Sequence, residues 1–186
     1  VEEAIQLRRS IRDYSHHPIP LAQLSHLLHM AGGITEPRDA LRASPSAGAL
    51  YPIEIRPIIL NVDGVDPGVY HYQVREHALA RLRPGDFRLA LFRYCVGQEL
   101  VLGAGAVIVL TGVFQRTRWK YQERHYRYVL LEAGHIGQNI YLAATSLGLG
   151  ACAIGAFLDD DINRLLGVDG REEAVAYLLA VGTPAL

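Results

Sequence analysis

The sequence predicts an α+β sandwich, with helices packed on a mixed sheet. Three observations point to it. Residues 120–147, KYQERHYRYVLLEAGHIGQNIYLAATSL, contain no proline and run into Gly148 and Gly150, a normal helix stop. The run GAVIVLTGVF at 105–114 reads as a buried strand. Leu21, Leu24, Leu27, Leu28 and Ala31 recur at helical spacing and end at Gly32-Gly33.

Taken as one helix, residues 120–147 would reach about 40 Å. Charges alternate with tyrosines as far as Glu132, whereas residues 133–149 hold no Asp, Glu, Lys or Arg. A helix half that is neutral all round is expected to be buried all round. Ala133, Gly134, Gly137, Ala143 and Ala144 would admit other backbones closely, so the helix reads as central and as crossing into a dimer interface. A membrane span is the weaker alternative, because His135, Gln138, Asn139, Thr145 and Ser146 interrupt a stretch already short for a bilayer.

The rest follows in chain order. Residues 1–9 predict a short amphipathic helix with Ala4, Ile5 and Leu7 inward, ending in the basic turn Arg8-Arg9-Ser10-Ile11-Arg12. Pro18 and Pro20 lead into the helix at 21–33, and residues 34–50 read as loop. IEIRPIILNV is a strand in which Pro57 argues for an edge or a bulge. VYHYQV and ALARLR form a hairpin across Arg75-Glu76-His77. A helix is expected near 86–95, a short apolar segment at ACAIGAF, a small helix DINRLLGV capped by Asp159 or Asp160, and a last strand AVAYLLAVG. No linker or internal repeat divides the chain, so one domain covers residues 1–186.

With 186 residues, half of them hydrophobic, a fifth charged and a net charge of −1, the chain suits one domain with a sizeable core. The near-neutral balance gives no electrostatic footprint for nucleic acid or an anionic membrane. Val1-Glu2-Glu3 opens no secretory signal, and a cytoplasmic protein with Cys95 and Cys152 as reduced, buried thiols is expected. Eight histidines raise the question of metal, but none has partners at zinc spacing, and His26 and His29 read as helix surface.

Four features can carry chemistry. Arg8, Arg9, Ser10 and Arg12 offer guanidinium forks and a hydroxyl that suit a phosphate, or else a basic helix end that complements the dipole. Pro45-Ser46-Ala47-Gly48 is a small-residue loop that would let backbone N–H groups approach a planar or anionic ligand, or an ordinary turn. Gly148 to Gly155 is glycine-rich but follows a helix, so it is not a dinucleotide fingerprint; Gly155 and Ala156 could still lie close to a ring system. Lys120-Tyr121 pairs an ammonium with a phenol, and desolvation of the former would stabilise the phenolate as a base. The bland alternative is an exposed lysine beside a packed tyrosine.

In this order, RRSIRDYS, ASPSAGALYPIEI, GVYHY, KYQERHYRYVLLEAGHIGQNIYLAA, SLGLGACAIGAF and EEAVAYLLAVG resemble the FMN-dependent nitroreductase superfamily, and within it the SagB-type dehydrogenase branch with its azoline oxidases. The resemblance covers nearly the whole chain. It implies a nitroreductase-like α/β sandwich with a mainly antiparallel sheet and a long central helix, built as a domain-entwined homodimer with FMN at the interface. By this likeness Arg8, Arg9, Ser10 and Arg12 would hold the FMN phosphate, ribityl chain and ring edge. Pro45, Ser46, Ala47 and Gly48 would reach the same flavin from the partner subunit, and Gly155 and Ala156 would lie near its N5. Lys120 and Tyr121 match the pair associated with catalysis in azole-forming members.

The resemblance therefore implies oxidation of a peptide thiazoline or oxazoline to the aromatic azole. A cyclodehydratase or a carrier protein is a candidate partner, and no metal is implied. Two other readings are an NAD(P)H-dependent nitro or quinone reductase and a non-catalytic scaffold of a peptide-modifying complex. Two departures bear on the choice. The VGTPAL end lacks the basic residue that many nitroreductases carry there, which leaves the phosphate to the RRSIR arginines. Gly155-Ala156 replaces the Glu-Gly of many nitroreductases. A start without methionine fits a piece of a longer protein.

Overall fold

A computed structural model describes residues 1–185; Leu186, the end of VGTPAL, lies outside the described residues. The elements are α1 (Glu2–Leu7), α2 (Leu21–Gly32), β1 (Ile34–Glu36), β2 (Leu41–Arg42), β3 (Ile53–Ile59), β4 (Gly68–Gln73), β5 (Ala78–Pro84), α3 (Arg88–Tyr94), α4 (Leu100–Gly103), β6 (Ala106–Val113), α5 (Gln115–Tyr121), α6 (His125–Ser146), β7 (Gly150–Ile154), α7 (Asp159–Leu166) and β8 (Glu173–Gly182). Single 3₁₀ turns at Ala47–Ala49 and Gln122–Arg124 join some of them.

The main sheet has six strands in the order β5-β4-β3-β6-β8-β7, and every ladder in it is antiparallel. Parallel pairing survives only as isolated bridges, Ser10 with Ala151 and Ile19 with Val62. β6 explains the sandwich. Its alternating residues serve two cores: Ile108 and Leu110 face α2 and α6, whereas Val107 and Val109 face α3, α4 and α7. All four are fully buried, which is why the strand reads as a continuous apolar run. Each is worth about 1.5–3 kcal/mol of transfer free energy.

The fold class and the major elements follow the sequence, with corrections in detail. Residues 34–50 are not all loop: β1 and β2 pair as a small antiparallel ribbon. β3 is an inner strand, not an edge; Pro57 sits where its ladder to β4 stops, so the missing N–H costs no bond on that side. α7 starts at Asp159 with Leu158 before it and no side-chain cap, and its aspartates act on the helix dipole from the first turn. Cys95 and Cys152 are buried and unpaired.

The largest correction concerns residues 120–147. They are not one helix. Gln122 adopts φ 49°, ψ −131°, which no helix contains, so Lys120 and Tyr121 are the last residues of α5 and not the first of α6. Nor is α6 enclosed on all sides within one chain. Val129, Ala133, Ile136, Gly137, Ile140, Ala143 and Ala144 are buried against the sheet, while Leu130, Leu131, Gly134, His135 and Gln138 are exposed. α1 has no buried residue, with Ile5 and Leu7 more than half exposed; one chain gives this helix no second wall.

Two substitutions test this packing. A Cβ on Gly112 of β6 would lie 2.5 Å from Cγ1 of the fully buried Val129, so Gly112→Ala should destabilise by about 1–3 kcal/mol in urea unfolding. Gln122→Gly should do the opposite, raising stability by about 1 kcal/mol, because glycine relieves the backbone strain at the α5–α6 break.

Candidate active site

The chain leaves α1 extended at Arg8, and Ser10 bridges Ala151 of β7. This register places Ser10 Oγ 3.1 Å from Tyr141 Oη on α6. Tyr141 Oη also accepts the Ala153 N–H at 2.7 Å, and the Arg8 guanidinium lies 5.2 Å above the Tyr141 ring. Arg9 donates to the Gln6 and Arg8 carbonyls, at 2.8 and 2.7 Å, and Arg12 to the Ser10 carbonyl. Among the described residues none of the three arginines has a carboxylate partner, so their charge is free for an anion. Gly155 and Ala156 follow the end of β7 and are exposed. A Cβ on Gly155 would meet nothing within 4 Å, so the space beside it is open to a ligand. Tyr141 was not legible as a site residue: a tyrosine in a neutral helix carries no signal until β7 and the arginine turn pack beside it.

The second group gathers at the end of α5. A Cβ on Gly48 would lie 2.7 Å from Tyr121 Oη and 2.8 Å from Lys120 Nζ, so both functional atoms converge on one point of the Pro45–Gly48 loop. The Lys120 ammonium is 5.5 Å from the Tyr121 ring centroid, and Tyr128 stacks edge-on to that ring at 4.7 Å. Lys120 is exposed, so nothing within one chain desolvates its ammonium. The loop is strained at Ala49 and Tyr51, with φ of 53° and 46°, whereas Gly48 takes its φ of 65° freely. Two hydrogen bonds hold it, from Ala49 N–H to the Ser46 carbonyl and from Tyr51 N–H to Ser46 Oγ. Ser44 Oγ, just before the loop, is buried without a partner. The unpaired arginines and the open space beside Gly155 fit an anionic, planar cofactor, whereas the orphan Ser44 hydroxyl belongs to the separate loop group.

Charged residues behind the loop were missed at the sequence level. Arg116, one turn before Lys120, pairs with Glu54 of β3 and donates to the Tyr51 carbonyl at 3.0 Å, which ties α5 to the loop. Glu54 is 2.6 Å from His71. Burial would raise the Glu54 pKa, but the His71 hydrogen bond and the Arg116 charge outweigh it and hold it at about 2. Glu132 behaves the other way. Its side chain is buried, and desolvation lifts its pKa to about 7 against the pull of Ser46, the Ile53 N–H, Arg42 and Arg116. The sequence marks Glu132 only as the last charge before the neutral half of the helix.

Thus the structure brings Arg8, Ser10 and Arg12 together with the β7 end, and Lys120 and Tyr121 together with Pro45–Gly48. It does not bring the two groups together. They contact α6 near Tyr141 and near Glu132, nine residues or roughly 14 Å apart. No hydrogen bond, ion pair or ring contact among the described residues connects them. One group can hold an anion and a ring; the other can exchange a proton.

Comparison with known proteins places the chain. MJ1384 of Methanocaldococcus jannaschii, named as a candidate nitroreductase, is 38% identical over 98% of this chain and 90% of its own length. The microcin B17-processing protein McbC of Escherichia coli is 29% identical over 84% of this chain, which spans only 59% of McbC. The E. coli microcin synthetase McbBCD complex, solved with truncated pro-MccB17 bound, contains a chain with a TM-score of 0.83 at 27% identity, covering 94% of this chain and 68% of that one. A structure from Desulfovibrio desulfuricans solved with FMN shares the fold, with a TM-score of 0.70 at 21% identity over 100% of this chain and 86% of that chain. A family model described as Nitroreductase family matches residues 5–183, and the chain therefore belongs to the nitroreductase family.

Proposed function

We propose that this nitroreductase-family oxidoreductase is an FMN-dependent, SagB-type dehydrogenase that oxidises thiazoline or oxazoline rings of a peptide to thiazole or oxazole. The observation that carries the reading is the convergence of Tyr121 Oη and Lys120 Nζ on Gly48. A phenol beside an ammonium, set on a loop of small residues, suits removal of the weakly acidic ring proton next to the peptide carbonyl. The likeness to McbC, whose name records peptide processing, supports the substrate class.

The residues divide the work. Arg8, Arg9 and Arg12 bind the cofactor phosphate as unpaired guanidiniums, and Ser10, steadied by Tyr141, adds a neutral hydrogen bond. Gly155 and Ala156 leave room for the ring. Pro45–Gly48 closes over it from a second copy, since one chain keeps its two groups apart. The exposed Ile5, Leu7, Leu130 and Leu131 supply apolar surface for that homodimer. Lys120 and Tyr121 take the proton from the ring carbon, with the ammonium stabilising phenolate character. When bound, FMN supplies the two-electron acceptor for the adjacent C–H bond, with dioxygen as the terminal acceptor. The cytoplasm is the proposed location, with a cyclodehydratase or carrier protein delivering the peptide.

A second reading has its own support. MJ1384, at 38% identity, is named for nitro reduction. Under that reading the purified protein consumes NAD(P)H with a nitroaromatic and leaves a thiazoline peptide untouched.

Two results are expected. Lys120→Ala combined with Tyr121→Phe should keep the flavin absorbance and lower azole formation, read by mass spectrometry as loss of two hydrogens, by about 10²–10⁴-fold; normal turnover in this variant would sink the assignment. Replacing Arg8, Arg9 and Arg12 with alanine should yield colourless protein that FMN does not reconstitute. Wild-type protein that stays colourless after FMN is added supports the scaffold reading.

A further inference from the structure

Glu132 is the one acidic side chain buried under the Pro45–Gly48 loop, at 3% exposure. It lines a cavity of about 260 Å³ with Pro45, Ser46, Ala47, Tyr128, Leu131 and His135. A buried carboxylate is normally in direct contact with a cation, but among the described residues no Lys, Arg or His nitrogen lies within ion-pair distance of it. Its polar neighbours are Ser46 of the loop, the Ile53 N–H of β3, and the more distant charges of Arg42 from β2 and Arg116 from α5; Tyr128 and His135 flank it on α6. Ser46 is also the residue that holds the strained loop, because its Oγ accepts the Tyr51 N–H at 2.9 Å. Two residues on, Gly48 meets Tyr121 and Lys120.

We propose that Glu132 is a positioning residue for the Lys120–Tyr121 pair, and that its carboxylate acts through Ser46 to set how the loop presents itself to both side chains. The proposal deepens the azoline-oxidase reading and rests on it for the kinetic arm of its test. An ionised Glu132, lining the same cavity as Ser46, can accept the Ser46 hydroxyl proton and so leave a Ser46 lone pair for the Tyr51 N–H, the hydrogen bond that the structure contains. A protonated Glu132 gains an O–H donor that competes with the Tyr51 N–H for the Ser46 oxygen, and the loop's hold on Gly48 loosens. Desolvation places this change near neutrality, with the pKa raised to about 7, so the ionised, competent form gains population as pH rises through that value. The neighbouring Glu54, held at about 2, stays ionised throughout.

The test uses FMN-loaded protein and follows the Ser46 and Gly48 amide resonances as pH is varied. In wild type both should shift with a midpoint at about pH 7. In Glu132→Gln, which keeps the shape and an acceptor oxygen for Ser46, the shift should vanish. In Ser46→Ala the Glu132 carboxyl carbon should still titrate while Gly48 no longer follows it, a readout available even if the glutamine variant folds poorly. With a thiazoline peptide, wild-type kcat should fall about tenfold per pH unit below the midpoint, and Glu132→Gln should lose that limb with little change in KM. A Gly48 shift that is absent in wild type, or unchanged in Glu132→Gln, overturns the proposal. No turnover of any azoline by wild type overturns the substrate reading alone, and the Gly48 titration then decides the role of Glu132.

Discussion

Burial of β6 on both faces is the constraint from which the rest of the molecule follows. A strand whose alternating residues are all apolar has to be covered twice, so α2 and α6 lie on one face and α3, α4 and α7 on the other. That fixes α6 across the sheet, where Gly137 and Ala144 allow a close approach. It also fixes β3 and β8 as neighbours of β6, so the loop before β3 and the arginine turn beside β7 emerge at defined places. Each candidate group is therefore mounted on a rigid element and only its tip is loop.

The two groups have different physics. Around Arg8, Ser10 and Tyr141 the design is unpaired positive charge and open space, which suits a ligand with a phosphate and a flat ring. Around Gly48 it is strain held by hydrogen bonds and by opposite treatment of two carboxylates. Glu54 stays ionised because His71 and Arg116 compensate its burial, and it anchors α5. Glu132 has no such direct partner and keeps its proton to near neutrality. Environments that drive neighbouring acids apart in pKa mark places where proton traffic is organised.

Legibility varied with how local the cause was. The apolar run at 105–114, the α2 periodicity and the β4–β5 hairpin were readable because side-chain spacing alone dictates them. The arginine turn and Lys120-Tyr121 were readable as residues with chemistry, and their companions in the same family pattern raised them above a basic helix end and a packed tyrosine. Tyr141, Glu54 and Arg116 were not readable. Each acquires its part from a residue tens of positions away, as Glu54 does from His71 and Arg116.

The sequence by itself determined the α+β class, most of the main-sheet strands and their covering helices, and the list of residues able to bind an anion or move a proton, because composition and periodicity act through nearest neighbours. Only the tertiary structure decided where residues 115–146 break. With neither glycine nor proline at Gln122, nothing local ends the helix there. The break exists because Arg116 is tied to Glu54 and the Tyr51 carbonyl while α6 is held on the sheet by Val129 and Ala133. Those long-range contacts outweigh the cost of one strained residue, and in doing so they turn Lys120 and Tyr121 toward Gly48.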